Sequence, residues 1–360
     1  MPSSLLLRFI QLAFLLLLSI AWKDDALAQS ATALSERPVA YEIHASLDPA
    51  TKKVVGTQTL AWRNRGPTAV SELQFHLYLN GFRDNHSTYM RESGGQFRGM
   101  RGSPDHRGSI VLTELYWISS SDAGAANELT PVSLLDRMIF IQPDDDNVFD
   151  ETVFSVTLPS PVPPGERARL TFGFESTLPR VFARTGWEET AKGNLFFLVA
   201  QWFPKIGVYE IPGQRYVPNS ATEGRWNTHQ FHANSEFYAD FGTYRVTMDV
   251  PADYVVGATG RRISEESVGE RKSITYEAED VHDFAWTASP DFIEYSDEWE
   301  HVAIRTLMLP EHERYAERVV NATKISLDRM DRWVGPYPYE TLTVVDALGG
   351  AVGMEYPTFF

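Results

Sequence analysis

The sequence predicts a mainly β protein: an antiparallel β-sandwich or saddle over residues 35–295, followed by the incomplete start of a mixed α/β domain over residues 296–360. Three observations carry this. Apolar residues recur with period two in separate runs, Pro and Gly punctuate the stretches between them, and a helical stripe enters only after Pro310. Period two puts alternate side chains on one face of a strand, and short strands joined by turn signals without intervening helices pair antiparallel and pack face to face.

The N-terminus comes first. Arg8 precedes an uncharged, Leu-rich run from Phe9 to Ala21, and Ala26-Leu27-Ala28 supplies the small-x-small pattern cut by signal peptidase. Residues 1–28 are therefore expected to be a signal peptide, with the mature chain starting near Gln29 and exported to the periplasm or the extracellular space. An apolar run of about 13 residues is short against the roughly 20 that span a bilayer, so no stable membrane span is expected after cleavage.

The strands follow in order. Tyr41, Ile43, Ala45 and Leu47 alternate, as do Leu73, Phe75, Leu77 and Leu79, then Ala168, Leu170, Phe172 and Phe174, then Tyr244, Val246, Met248 and Val250. Leu158-Pro159-Ser160-Pro161-Val162-Pro163-Pro164-Gly165 is turn chemistry between two of them. Asn80 to Ser109, with its Gly-rich and Asp-His runs, reads as a long irregular surface loop. After a strand from Val302 to Leu307, the spacing of Ala316, Val320, Thr323, Leu327, Met330 and Val334 marks one face of a helix, which Gly335-Pro336 ends. The run Leu342-Thr343-Val344-Val345 is a further strand, leading into a turn through Gly349, Gly350 and Gly353.

Charge and composition exclude some chemistry. With 32 Lys and Arg against 48 Asp and Glu the net charge is −16, which repels phosphate backbones, so nucleic acid is not an expected partner. The absence of Cys excludes thiolate chemistry and disulfides, leaving the hydrophobic core to hold the fold. Trp202, Trp226 and Trp286 are read as core aromatics, and Asp144-Asp145-Asp146-Asn147 as a solvated turn without the ligand spacing of a calcium loop.

The candidate site is Gly353-Met354-Glu355-Tyr356-Pro357. Glycines let main chain approach a ligand, and a carboxylate beside them can hold a cation such as a peptide's α-ammonium; a solvated turn carboxylate is the plainer alternative for one Glu beside glycines. This stretch resembles the Gly-x-Met-Glu-Asn motif of the aminopeptidase N family of zinc peptidases, which includes leukotriene hydrolase. Trp333-Val334-Gly335-Pro336-Tyr337-Pro338-Tyr339 is similar to the family's phrase before the motif. Gln201-Trp202-Phe203-Pro204, Glu236-Phe237-Tyr238, Val255-Val256-Gly257-Ala258-Thr259-Gly260 and Phe284-Ala285-Trp286 with Ser289-Pro290 resemble its N-terminal saddle domain.

That resemblance implies a thermolysin-like catalytic domain beginning at residue 296 and a secreted zinc metallopeptidase of aminopeptidase type acting on peptides. Gly353, Met354, Glu355 and Tyr356 are carried over as substrate-binding residues, with Gln201 as a secondary candidate. Two departures stand out: Tyr356 replaces the family's Asn, and Leu195, Phe196, Phe197 and Leu198 occupy the region where other members offer a Gln or Glu to the amine.

Zinc peptidases of this kind need His-Glu-x-x-His on a helix. None of the nine His lies in that pattern, and His229 and His232 come closest, three residues apart without a Glu between them. No catalytic residue and no metal ligand is therefore assigned within these 360 residues. Zinc and the general base are expected in a missing C-terminal portion of the same protein, with this chain inactive alone. The competing reading is a non-catalytic secreted β-sandwich that binds a protein or glycan.

Overall fold

The computed structural model describes residues 33–119, 131–348 and 353–360. The signal segment expected over residues 1–28 and the turn glycines Gly349 and Gly350 lie outside the described residues. The chain divides into two compact units, Met1–Glu36 and Arg37–Phe360. Of the first, only residues 33–36 are described, as a bend.

Among the described residues of the second unit, the largest sheet has eight strands. Their spatial order is Arg261–Val268, Arg271–Val281, Gly242–Pro251, Val39–Asp48, Lys53–Arg63, Arg167–Thr177, Ser109–Ser119 and Val132–Ser133. All neighbours pair antiparallel except Val39–Asp48 with Gly242–Pro251, which run parallel because the chain passes through other sheets between them. The alternation seen in the sequence sets which face is buried: Ile43, Leu60, Leu170, Phe172, Val246, Met248 and Ile274 all point into one core.

Two four-stranded sheets complete that core. One carries Val70–His76 and Val153–Val162 at its centre, the other Leu195–Val199 and Trp286–Ser289. Phe75 stacks on Phe154 with centroids 5.0 Å apart, and Trp202 meets Trp286 edge-on at 6.0 Å. Trp202 and Trp286 are fully buried and Trp226 packs against the core, so these aromatics are core residues as read.

Two sequence expectations are corrected besides the Leu158–Gly165 turn, whose residues up to Val162 belong to the strand Val153–Val162. The strand read through Leu79 stops at His76, and Tyr78–Phe82 is a 3-10 turn. Leu77 and Leu79 are buried all the same, because Asn80 ties the turn inward by donating to the Glu151 carbonyl and accepting from the Ile110 N–H. The second concerns Asn80 to Ser109, which is built rather than irregular: it holds a helix at Thr88–Ser93 and a small hairpin of Gln96–Phe97 with Met100–Arg101. The Ser87 hydroxyl caps the helix by accepting from Met90 N–H, and left-handed Gly94 closes it. Six residues are too few to display a 3.6 period, while Tyr89 and Met90 are buried in the main core.

The C-terminal residues form a three-stranded sheet of Ile293–Trp299, Val302–Met308 and Thr341–Val345, with the helix Ala316–Val334 linking two parallel strands. Gly335, at a positive φ of 109°, ends that helix, its N–H donating to the Asp331 carbonyl. Of the predicted stripe, Ala316 and Leu327 are buried, but Met330 and Val334 face out. The cluster that meets the helix, Val302, Ile304 and Leu342, reaches only as far as Leu327.

This sheet docks on the large β assembly through a second core in which Leu307, Leu309, Tyr356 and Phe359 meet Phe196, Leu198, Ala285 and Phe292. Gly257 makes the approach possible: a Cβ there would lie 2.6 Å from Leu307 Cδ1 and 3.1 Å from Thr343 Cγ2. Thr358 Oγ1 accepts from Gly260 N–H at 2.7 Å, and Tyr339 OH donates to the Asp280 carbonyl at 2.8 Å. Among the described residues no helix is long and apolar enough to cross a membrane, which says nothing of a membrane β-barrel.

Candidate functional site

The motif segment enters the edge of the C-terminal sheet. Thr343 N–H donates to the Thr358 carbonyl and Phe360 N–H to the Thr343 carbonyl, so residues 358–360 run beside the strand Thr341–Val345. Upstream of this edge, Gly353 has a left-handed φ of 70° and Glu355 is solvent-exposed. Two arginines from the β assembly meet the start of the segment. Arg184 Nη1 lies 3.0 Å from Met354 Sδ, and a Cβ on Gly353 would sit 3.1 Å from Arg98 Nη1. Glu355 thus projects to water from a segment whose two preceding residues are held.

Tyr356 points the other way. It is buried, its hydroxyl makes no hydrogen bond of normal geometry, and Gln201 and Asp283 face it. Burial first, and then the negative charge of Asp283, pushes that hydroxyl far above the usual tyrosine range.

Behind Tyr356 lies a buried polar triad. Lys205 and Asp283, only 1% and 2% exposed at their side chains, form an ion pair of 2.6 Å. Gln201 spans it, accepting from Lys205 Nζ at 2.9 Å and donating from Nε2 to Asp283. The Gln201 backbone sits in the left-handed region, φ 56°, a conformation that costs about 1 kcal/mol or more for a residue with a side chain. Phe203, Tyr78 and Phe237 place ring centroids 5.5, 5.7 and 5.9 Å from the Lys205 ammonium. Burial pulls the Lys205 pKa below the ordinary lysine range while Asp283 opposes the shift.

The structure therefore brings Gln201 next to Tyr356, seats Gly353 and Met354 against the β assembly, and leaves Glu355 accessible beside them. The sequence reading missed Arg98, Arg184, Lys205 and Asp283. A signal existed for Lys205, the only charge in Trp202-Phe203-Pro204-Lys205-Ile206, where a lysine flanked by core residues must find a counter-ion. Arg98 and Arg184 lie on turns and carried no such signal.

His229 and His232 are loop residues, as expected, but each is held by carboxylates. His229 Nδ1 meets Asp144 at 2.5 Å, and His232 lies between Glu92 at 2.8 Å and Asp144 at 3.1 Å. Burial lowers the His232 pKa, the hydrogen bonds to Glu92 and Asp144 outweigh it, and the net shift is upward. Asp144–Asn147 is more than a solvated turn, since Asp144 also accepts from Gln230 N–H and Asn147 is buried. His229 Nδ1 and both ring nitrogens of His232 are hydrogen-bonded to carboxylates, and among the described residues no group of three or more His, Cys, Asp or Glu is disposed to hold a metal.

No protein-family model matches the chain, and no curated protein matches it either. Solved structures do. An M1 zinc metallopeptidase from Deinococcus radiodurans, in a mutant form bound to a Tyr-Ser-Ala substrate, aligns with a TM-score of 0.51 at 16% identity, over 90% of this chain and 60% of that one. The M1 zinc metallopeptidase from the same organism without that mutation aligns with a TM-score of 0.51 at 17% identity and the same coverage. A two-domain M1 zinc metallopeptidase mutant bound to L-tryptophan aligns at 0.50 and 17% identity, again over 90% and 60%. The chain thus shares the fold of M1 zinc metallopeptidases over nine-tenths of its length and spans 60% of the length of those structures.

Proposed function

We propose that this chain is the exported N-terminal portion of a zinc-dependent peptidase of aminopeptidase type. Residues 35–295 serve as its saddle-like domain and residues 296–360 as the start of its catalytic domain, although the strand Ile293–Trp299 runs across that boundary. Glu355 grips the α-ammonium of a peptide, Gly353, Met354 and Tyr356 hold Glu355 in place, and Gln201 forms part of the wall behind it. The observation that carries this reading is the one-sided anchoring of the segment, with Met354 and Tyr356 packed into the β assembly and the carboxylate between them in water. A positioned, hydrated carboxylate can capture a cationic peptide end at little desolvation cost, and the register it imposes decides which peptide bond is presented.

The shared fold supports the peptidase assignment. The helix Ala316–Val334 leaves Ile325, Met330, Trp333 and Val334 exposed, Trp333 73% so, and such apolar surface supports docking of further polypeptide. Zinc belongs to that further polypeptide in this proposal, and no chemical step is assigned to the residues described here. Export rests on the signal pattern of residues 1–28.

In the full-length enzyme, Glu355→Ala should raise KM for substrates with a free amino end about tenfold or more, as expected for the loss of a charge-assisted contact, and leave N-acetylated substrates unaffected. Equal losses on both would refute the amine-anchoring role. The 360-residue chain alone should not turn over amino-acid amides with added zinc, and turnover above a buffer control would overturn that expectation.

A further inference from the structure

A cavity of about 290 Å³ opens where the helix-hairpin excursion, the turn around Arg184 and the segment 231–237 meet. Its wall carries Arg98 and Arg184, the two residues that also touch Gly353 and Met354. Both guanidinium groups lie against one ring, at 5.3 and 5.6 Å from the Phe97 centroid. In a chain of net charge −16, two cations are gathered beside the motif.

The acids of the cavity are already engaged. Glu92 accepts from Ala233 N–H at 2.9 Å and meets His232 at 2.8 Å. Glu236 takes only the outer edge of Arg184, through Nη1 at 2.9 Å and Nη2 at 3.3 Å, and is itself 68% exposed. Water screens the Glu236 side of this pair, which makes that carboxylate displaceable. The Arg184 Nε is buried without a hydrogen-bond partner on a side chain only 12% exposed, so the edge a ligand would take is the Nη1–Nη2 edge that Glu236 now covers. An Nη1–Nη2 edge presents two parallel N–H donors at the spacing of a carboxylate's two oxygens. The backbone is bent to place these groups: Arg98, Ala183 and Arg184 all have left-handed φ, at 46°, 46° and 76°. Strained non-glycine residues gathered at one cavity are typical of ligand clamps.

We propose that this cavity is a carboxylate subsite in which Arg184, with Arg98, receives an acidic group of a short peptide. The proposal rests on the reading that Glu355 holds the amino end. The Cα atoms of Gly353 and Glu355 lie within about 8 Å of each other, and an extended tripeptide of about 10 Å is long enough to bridge that span. The carboxylate can come from the C-terminus of a di- or tripeptide or from an Asp side chain, two sources with one chemistry.

Calorimetric titration of the 360-residue chain with four peptides tests this: Ala-Ala-Ala, its C-terminal amide, its N-acetyl form, and Ala-Asp-Ala amide. Amidation of Ala-Ala-Ala should weaken binding about tenfold or more. Recovery with Ala-Asp-Ala amide would assign the site to the side chain, and no recovery to the C-terminus. Arg98→Gln and Arg184→Gln should each abolish the difference between acid and amide, whereas Glu236→Gln, which removes the competing carboxylate, should tighten the acid several-fold. Arg98 lies on an exposed hairpin and Glu236 is at the surface, so these two variants keep the test valid if Arg184→Gln disturbs the fold. Equal binding of acid and both amides, no saturable binding of any acid, or a Glu236→Gln variant that weakens the acid would overturn the subsite. Loss on N-acetylation without loss on amidation would remove the subsite and keep the role of Glu355; the reverse would keep the subsite and remove that role.

Discussion

Asp283→Asn should turn the buried triad from a neutral unit into an uncompensated cation. The substitution keeps the shape of the side chain and an oxygen able to accept from Phe284 N–H, as Asp283 Oδ1 does at 2.8 Å. It removes the charge 2.6 Å from Lys205 Nζ, where solvent cannot take its place because Lys205 is 1% exposed. Breaking a buried pair in this way costs about 3–5 kcal/mol. An upper limit comes from the alternative open to the lysine: releasing its proton at pH 7 from an ordinary pKa of 10.5 costs about 4.8 kcal/mol.

The pH dependence has a definite sign. With its folded pKa below its unfolded value, Lys205 binds fewer protons in the folded state between the two, so stability in the variant rises as pH rises through that window. Urea melts should show a deficit of about 3–5 kcal/mol at pH 7 that shrinks by up to about 1.4 kcal/mol per unit towards pH 10. Lys205→Met combined with Asp283→Asn should recover most of the loss, since apolar replacement of a buried ion is often neutral. A deficit below about 1 kcal/mol, one indifferent to pH, or a double variant as weak as the single would refute the buried pair as a coupled unit.

Two other perturbations follow from the packing. The His76 imidazole is pushed down to about 3, by burial first and the Lys205 charge second, so it stays neutral in the fold, and the stability this represents is present above pH 6.5 and lost as pH falls from there towards 3. His76→Phe, which can retain the stack on Tyr78, should gain on the parent by about 1.4 kcal/mol per unit below pH 6.5 in urea melts, and parallel pH profiles would contradict the assignment. Gly257→Val should cost about 1–3 kcal/mol by forcing Leu307 and Thr343 off the β assembly, with faster protease cleavage between residues 296 and 340; unchanged stability and cleavage would mean the close approach is unimportant.

The residues legible in the sequence and those that were not differ in the physics that places them. The strands through Ile43, Phe172 and Val246 were legible because burial of one face writes a period of two into the chain, and the helix from Ala316 because one face of it meets a sheet. The helix at Thr88 was illegible because a capping serine and a left-handed glycine define it, with too few residues for a period. The same distinction governs the candidate site. Gly353 to Tyr356 could be picked out as a contiguous motif, and Gln201 through the resemblance, but Arg98, Arg184 and Asp283 could not, since they converge on it from three separated parts of the chain. Local pattern reports the face a residue buries and is silent on what lies across the gap. The tripeptide arms of the titration therefore probe a property that only the folded chain assembles, the separation between an exposed carboxylate and a guanidinium edge. If amidation and N-acetylation each weaken binding, both ends of the ligand are read at this surface.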